Sequence, residues 1–186
     1  MERQPGRSGP ADQDYQGSAA ARATGYNPDV FQFEKIHLPA FLEEIYEYTR
    51  ILAEQKGLES ALHLPKDGGF VEGDKVHLRR LFLNLINNAV KFTPEGGKIA
   101  ISLAAAGQTA EIRVADTGVG IAEEDVGKVF DKFFRSGPQN QAEPGSGLGL
   151  SMARSIARAH QGDITVDSRL GQGAVFLVIL PVVSAP

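Results

Sequence analysis

The chain has 186 residues, 42% hydrophobic and 23% charged, with 19 basic and 23 acidic side chains giving a net charge of -4. That length suits one domain of ordinary size plus a tail, and the composition is globular. No apolar run approaches the roughly 18 residues of a membrane span, and the N-terminus lacks the apolar stretch of a secretory signal. The negative balance argues against nonspecific attraction to nucleic acid or an anionic membrane. The lack of cysteine removes disulfides, thiolate nucleophiles and Cys-based zinc sites, and suits a reducing cytoplasm.

Residues 1–29 carry four Gly and three Pro with almost no large apolar side chain, so they read as a linker or appended tail that cannot offset its ordering entropy. The folded domain is expected over residues 30–183, with 184–186 as a C-terminal tail. From Pro39, Phe41, Leu42, Ile45, Tyr48, Ile51 and Leu52 recur at helical spacing up to a stop at Gly57. A short strand around Ala61 to Leu64 and a Gly68-Gly69 turn follow. Asp74 then caps a second helix running to about Phe92, which Pro94 ends. Lys98 to Leu103 and Ala110 to Ala115 read as a hairpin around a loop at Ala106 to Gln108. A short helix is expected over Glu123 to Phe134, then a polar loop over Ser136 to Gly145 with no apolar anchor. A third long helix spans about Leu148 to His160. Strands Ile164 to Asp167 and Ala174 to Leu180 close the domain around Gly171-Gln172-Gly173. This order suggests an α+β two-layer sandwich rather than βαβ alternation.

Four stretches carry chemistry. Asn84, Asn88 and Lys91 lie at i, i+4 and i+7 on the second helix, with His77 and Arg80 extending the stripe upstream. Leu78, Phe82, Leu85, Ile86 and Ala89 supply the opposite, apolar face. Amide oxygens suit Mg²⁺ and a lysine can hold phosphate; a solvated face decorated with Asn is the ordinary alternative. Asn is a weak helix former, and Asn84, Asn87 and Asn88 all sit inside this helix. Asp116-Thr117-Gly118-Val119-Gly120 follows a strand directly. A carboxylate there can accept an exocyclic amine while the glycines admit a flat ring, although an Asp-Gly turn needs no ligand to explain it. Gly145-Ser146-Gly147-Leu148-Gly149-Leu150-Ser151 opens into the third long helix, as a phosphate-binding turn would. Its spacing fails the dinucleotide fingerprint, and no P-loop occurs. In Val129-Phe130-Asp131-Lys132-Phe133-Phe134-Arg135 the aromatics could pin a lid while Lys132 or Arg135 reaches a phosphate, with core packing the plainer role for Phe130 and Phe133.

In this order the stretches 84–93, 116–121, 129–135 and 145–151 resemble the N, G1, F and G2 boxes of the catalytic ATP-binding domain of sensor histidine kinases. The resemblance covers about residues 32–182. It implies the Bergerat fold shared with gyrase-type, Hsp90-type and MutL-type ATPases: a mixed, mainly antiparallel sheet covered on one face by helices, with ATP under a flexible lid. By that resemblance Asn88 would hold Mg²⁺ with Asn84 assisting, Lys91 would contact phosphate and Phe92 would pack near the base or ribose. Asp116 would receive the adenine amino group, Gly118 and Gly120 would leave room for the ring, and Gly145, Gly147 and Gly149 would wrap the phosphates. Ile121, Phe133, Ser146, Leu148 and Leu150 join the implied nucleotide contacts. Arg135 would position the γ-phosphate or touch the acceptor domain.

The resemblance also implies partners: a histidine-bearing dimerisation and phosphoacceptor domain, and a response regulator receiver domain. Cytoplasmic placement follows, whether or not the parent kinase is membrane-anchored. Asn84 stands where hydrolysing relatives carry a glutamate base, which favours transfer over hydrolysis; a non-catalytic nucleotide sensor and an ATPase are the alternatives. Two departures stand out. Ala174 replaces a Thr that relatives often carry near adenine. No phosphoacceptor box surrounds His37, His63, His77 or His160, so the chain reads as a catalytic domain separated from its acceptor helices.

Overall fold

The computed structural model describes residues 31–65, 67–135 and 146–185. The expected tail at 1–29 and the whole loop at 136–145, Gly145 included, lie outside them. Strand β1 (Glu34–His37) leads directly into helix α1 (Leu38–Gln55), which has Pro39 in its first turn, where the missing N–H costs nothing. Strands β2 (Glu59–His63) and β3 (Phe70–Gly73) precede helix α2 (Lys75–Phe92), and the Asp74 carboxylate caps α2 by accepting the His77 N–H at 2.9 Å. After the hairpin β4 (Lys98–Ala106) and β5 (Thr109–Asp116) come a single helical turn α3 (Glu123–Val126) and helix α4 (Gly149–Ala159). Strands β6 (Asp163–Ser168) and β7 (Ala174–Pro181) complete the domain.

The main sheet has the order β2-β4-β5-β7-β6; only β2 and β4 run parallel. Ile99, Ile101 and Leu103 of β4, Ala110, Ile112 and Val114 of β5, and Phe176, Val178 and Leu180 of β7 alternate toward one buried face. Phe41, Leu42 and Ile45 of α1, Leu78, Phe82, Leu85 and Ile86 of α2, and Ala153, Ile156 and Ala157 of α4 complete that core. The alternate strand positions are mostly only part-buried, so the helices seal one face. This is the expected α+β two-layer sandwich.

Three local features differ from the sequence expectation. Strands β1 and β3 form a separate two-stranded antiparallel sheet, pairing Glu34 with Gly73 and His37 with Phe70. The helix expected to reach Phe134 stops at Val126. Successive three-residue turns follow, Lys128 N–H to Asp125 O and Asp131 N–H to Lys128 O, because Phe133 adopts φ +66° to donate its N–H to Gly147 O at 2.9 Å. The β4–β5 hairpin is longer than expected, turning at Gly107 with φ +64° rather than through a loop beginning at Ala106.

Candidate functional site

A cleft of about 320 Å³ opens between the C-terminal half of α2, the segment after β5, the turns after α3 and the first turn of α4. Of the candidates, it brings together Asn88, Lys91 and Phe92 of α2, Asp116, Gly120 and Ile121 after β5, Arg135, and Ser146, Gly147, Gly149 and Leu150 around the start of α4. Asn84, Gly118, Phe133 and Leu148 stand outside its lining. Six lining residues escaped the candidate set: Asn87, Val119, Val129, Phe134, Ala174 and Phe176.

The end of β5 delivers Asp116 to the cleft. Burial pushes its carboxyl above the usual carboxylate range, while the N–H groups of Gly118, at 2.8 Å, and Ala174 partly oppose the shift. The following loop lies tight on α2: Val119 donates its N–H to Phe92 O at 3.1 Å, and a Cβ on Gly118 would collide with that carbonyl. Gly118 therefore sets the close approach of loop to helix without facing the cleft. The same loop is fastened to the β6–β7 turn. Ile121 donates its N–H to the Ser168 hydroxyl at 2.9 Å, that hydroxyl donates to Gly173 O at 2.6 Å, and Gly171 N–H reaches Val119 O at 2.7 Å.

The aromatic segment divides its work. Phe130 meets Phe176 edge to face at 6.3 Å and lies under the Arg154 guanidinium at 4.9 Å. Phe134 lines the cleft, whereas Phe133 is 71% exposed. Asn84 occupies a joint between helices: a Cβ on Gly149 would sit 3.4 Å from its Oδ1, and its buried Nδ2 has no hydrogen-bond partner. The amide thus faces the first turn of α4.

The donor chemistry of the cleft fits Mg²⁺. Among the described residues no group of three or more His, Asp or Glu could form an all-protein cage. The carboxamide of Asn88 in a cleft that also holds Lys91 suits Mg²⁺, which binds through one or two protein oxygens plus substrate phosphates. No helix among the described residues is long and apolar enough to cross a membrane.

A mixed sheet sealed by helices, with a cleft between an asparagine-bearing helix and a glycine-rich helix start, defines a class of nucleotide-binding domain. The family model described as histidine kinase-, DNA gyrase B- and HSP90-like ATPase matches residues 73–184, more than half of the chain, and the chain belongs to that family. The adaptive-response sensory kinase SasA of Crocosphaera subtropica is 40% identical over 164 residues, covering 88% of this chain and 42% of SasA. Full-length ShkA in complex with AMPPNP superposes with a TM-score of 0.77 at 28% identity, over 88% of this chain and 34% of ShkA. The histidine kinase ThkA in complex with the response regulator TrrA gives a TM-score of 0.69 at 26% identity, over 82% of this chain and 42% of ThkA. The chain thus spans less than half of the sensory kinase it matches.

Proposed function

We propose that this domain binds ATP and transfers its γ-phosphoryl group to a histidine on a separate helical dimerisation and acceptor domain. From there the phosphate passes to an aspartate of a response regulator. The observation that carries the reading is the single cleft in which Asn88 and Lys91, Asp116, and the Gly147–Gly149 turn converge from three separate parts of the chain. The AMPPNP bound by ShkA and the regulator bound by ThkA support it.

Asp116 accepts the adenine amino group, and Gly120 and Ile121 flank the ring. Lys91 and the N–H groups at the start of α4 hold the phosphates, aided by the positive end of the helix dipole. Arg135 completes the charge on the far side. Asn88 would hold Mg²⁺, which when bound would supply charge neutralisation on the phosphates. Phosphoryl transfer asks the protein for alignment and charge compensation more than for covalent help. An incoming imidazole nitrogen forms a bond to the γ-phosphorus as the bond to the ADP oxygen breaks. Asn84 has no proton-accepting group that could activate water, so transfer is favoured over hydrolysis. Its Oδ1 instead lies against the first turn of α4. Passing phosphate to a response regulator places the domain on the cytoplasmic side of any membrane that anchors its parent.

The test mixes this chain with a separately made acceptor domain and γ-labelled ATP with Mg²⁺. Labelled histidine on the acceptor is the expected result. Nucleotide binding with no labelled histidine under any pairing would favour a sensor module, and phosphate release without an acceptor would favour an ATPase.

A further inference from the structure

Helix α2 ends at the cleft, so its last carbonyls need partners that do not obstruct it. Ala89 O accepts both the N–H of Thr93, at 3.1 Å, and its buried hydroxyl, at 2.6 Å. Phe92 O accepts the Val119 N–H from the loop after β5. Val90 O has Pro94 four residues on, which carries no N–H to donate. The partner for this carbonyl comes from another helix: Lys56 Nζ donates to Val90 O at 2.6 Å and to Lys91 O at 2.8 Å.

The end of α1 aims that lysine. Gly57, at φ +68°, donates its N–H to Glu54 O at 3.1 Å, and Leu58 donates to Ala53 O at 2.8 Å, closing a Schellman turn with Lys56 as its C-cap. The turn projects the half-buried Lys56 across to α2, where its charge meets the negative end of the helix dipole. Lys91, Phe92 and Val119 all line the cleft; Lys56 does not.

We infer that Lys56 is a positioning residue for the nucleotide, fixing the last turn of α2 so that Lys91 and Phe92 face the cleft while Phe92 O keeps its bond to the Val119 loop. This rests on the ATP-binding reading above. Removing the ammonium takes away the side-chain donor that the two part-buried carbonyls share and loosens the turn that carries two cleft-lining side chains.

The experiment measures ATP–Mg²⁺ affinity by calorimetry, well below the melting temperature of each variant. Lys56→Met keeps the apolar stem and loses the donors, and should weaken binding about tenfold, the scale of a lost charge-assisted hydrogen bond. Lys56→Arg, whose fork also reaches paired carbonyls, should restore most of it. Thr49→Val removes a buried hydroxyl bonded to Ile45 O on the same helix, and should lower the melting temperature without changing affinity. Should Lys56→Met fail to fold, Lys56→Gln, with one amide donor group, should bind with intermediate affinity. Wild-type affinity in Met or Gln, a loss that Arg does not restore, or an equal loss in Thr49→Val overturns the inference. A wild-type chain that binds no ATP removes the functional reading itself.

Discussion

Asp116, the proposed adenine acceptor, sets binding and stability at odds. Its carboxyl titrates above the ordinary range because it is buried, and the two backbone donors offset this only in part. The folded chain therefore holds that proton more tightly than the unfolded chain. Above the unfolded value of 3.8 the ionised group costs the fold stability, and acidification relieves that cost. The proposed adenine recognition runs the other way, because only the ionised carboxylate is purely an acceptor. ATP affinity of the wild type should thus fall on acidification at a higher pH than an ordinary carboxylate would set. In Asp116→Ala, ATP should bind at least about tenfold more weakly, with no preference over GTP and without the Asp116 contribution to the pH dependence. Calorimetry with both nucleotides at neutral and acid pH decides it; retained adenine preference in the alanine variant would refute the assignment. The strand-end position of Asp116 before two glycines was legible in the sequence as a local pattern, but that pattern alone suits an ordinary turn, and its place in the cleft was expected only from the resemblance. Which neighbouring aromatic faces the cleft was not legible. Phe134 does so rather than Phe133 because the bend at Phe133 is set by Gly147, a residue distant in sequence.

At the scale of elements, the β6–β7 turn braces the Val119–Ile121 loop that walls the cleft. Gly171 and Gly173 share the same left-handed backbone, φ +79°, yet their surroundings differ. A Cβ on Gly171 would meet nothing within 4 Å, whereas one on Gly173 would collide with the Asp116 carbonyl. Gly171→Ala should cost about 1 kcal/mol, the strain of a left-handed residue. Gly173→Ala adds a backbone clash at the paired ends of β5 and β7, and should cost about 3 kcal/mol or more. Urea unfolding of both variants checks this, and equal losses would mean the turn relaxes freely. The same contrast explains what the sequence disclosed. Helices α1, α2 and α4 announce themselves through apolar periodicity and caps at Asp74 and Gly57. Strands β1 and β3 are four residues each and pair across α1 and β2, so no local pattern marks them. Ala104 to Ala106 have little strand preference and are extended only by their partners Thr109 to Glu111.

Across the whole molecule, α2 and α4 join the cleft to a second cluster at their other ends. Asp74 is the N-cap of α2 and His160 the C-cap of α4, and the Asp74 N–H donates to His160 Nε2 at 2.9 Å. With Nε2 accepting, Nδ1 carries the proton and donates to Ile156 O at 2.8 Å, so the buried ring is held neutral. The N-terminal segment is tied in as well: Gln32 N–H reaches the Asp74 carboxylate at 2.8 Å, and Phe31 and Phe33 lie against His77 and His160 with ring centres 4.3 and 5.0 Å apart respectively. Burial lowers the His160 pKa below 6.5; the Ile156 carbonyl and the Asp74 charge oppose this, and His77 adds to it. Asp74, held down to about 2 by the Gln32 and His77 donors despite its burial, stays ionised over the range in which histidine titrates. The neutral ring therefore contributes stability that is complete above pH 6.5 and is lost as the pH falls below it, because the unfolded chain takes up the proton first. The contribution should reach a slope of at most about 1.4 kcal/mol per pH unit. His160→Gln keeps an acceptor for Asp74 N–H and a donor for Ile156 O but cannot titrate. Its urea midpoint should fall less steeply than that of the wild type between pH 6.5 and 5. Parallel curves for the two proteins would place the acid sensitivity elsewhere, whereas a flatter curve for glutamine would show that protonating one ring loosens the junction that holds both helices of the nucleotide cleft.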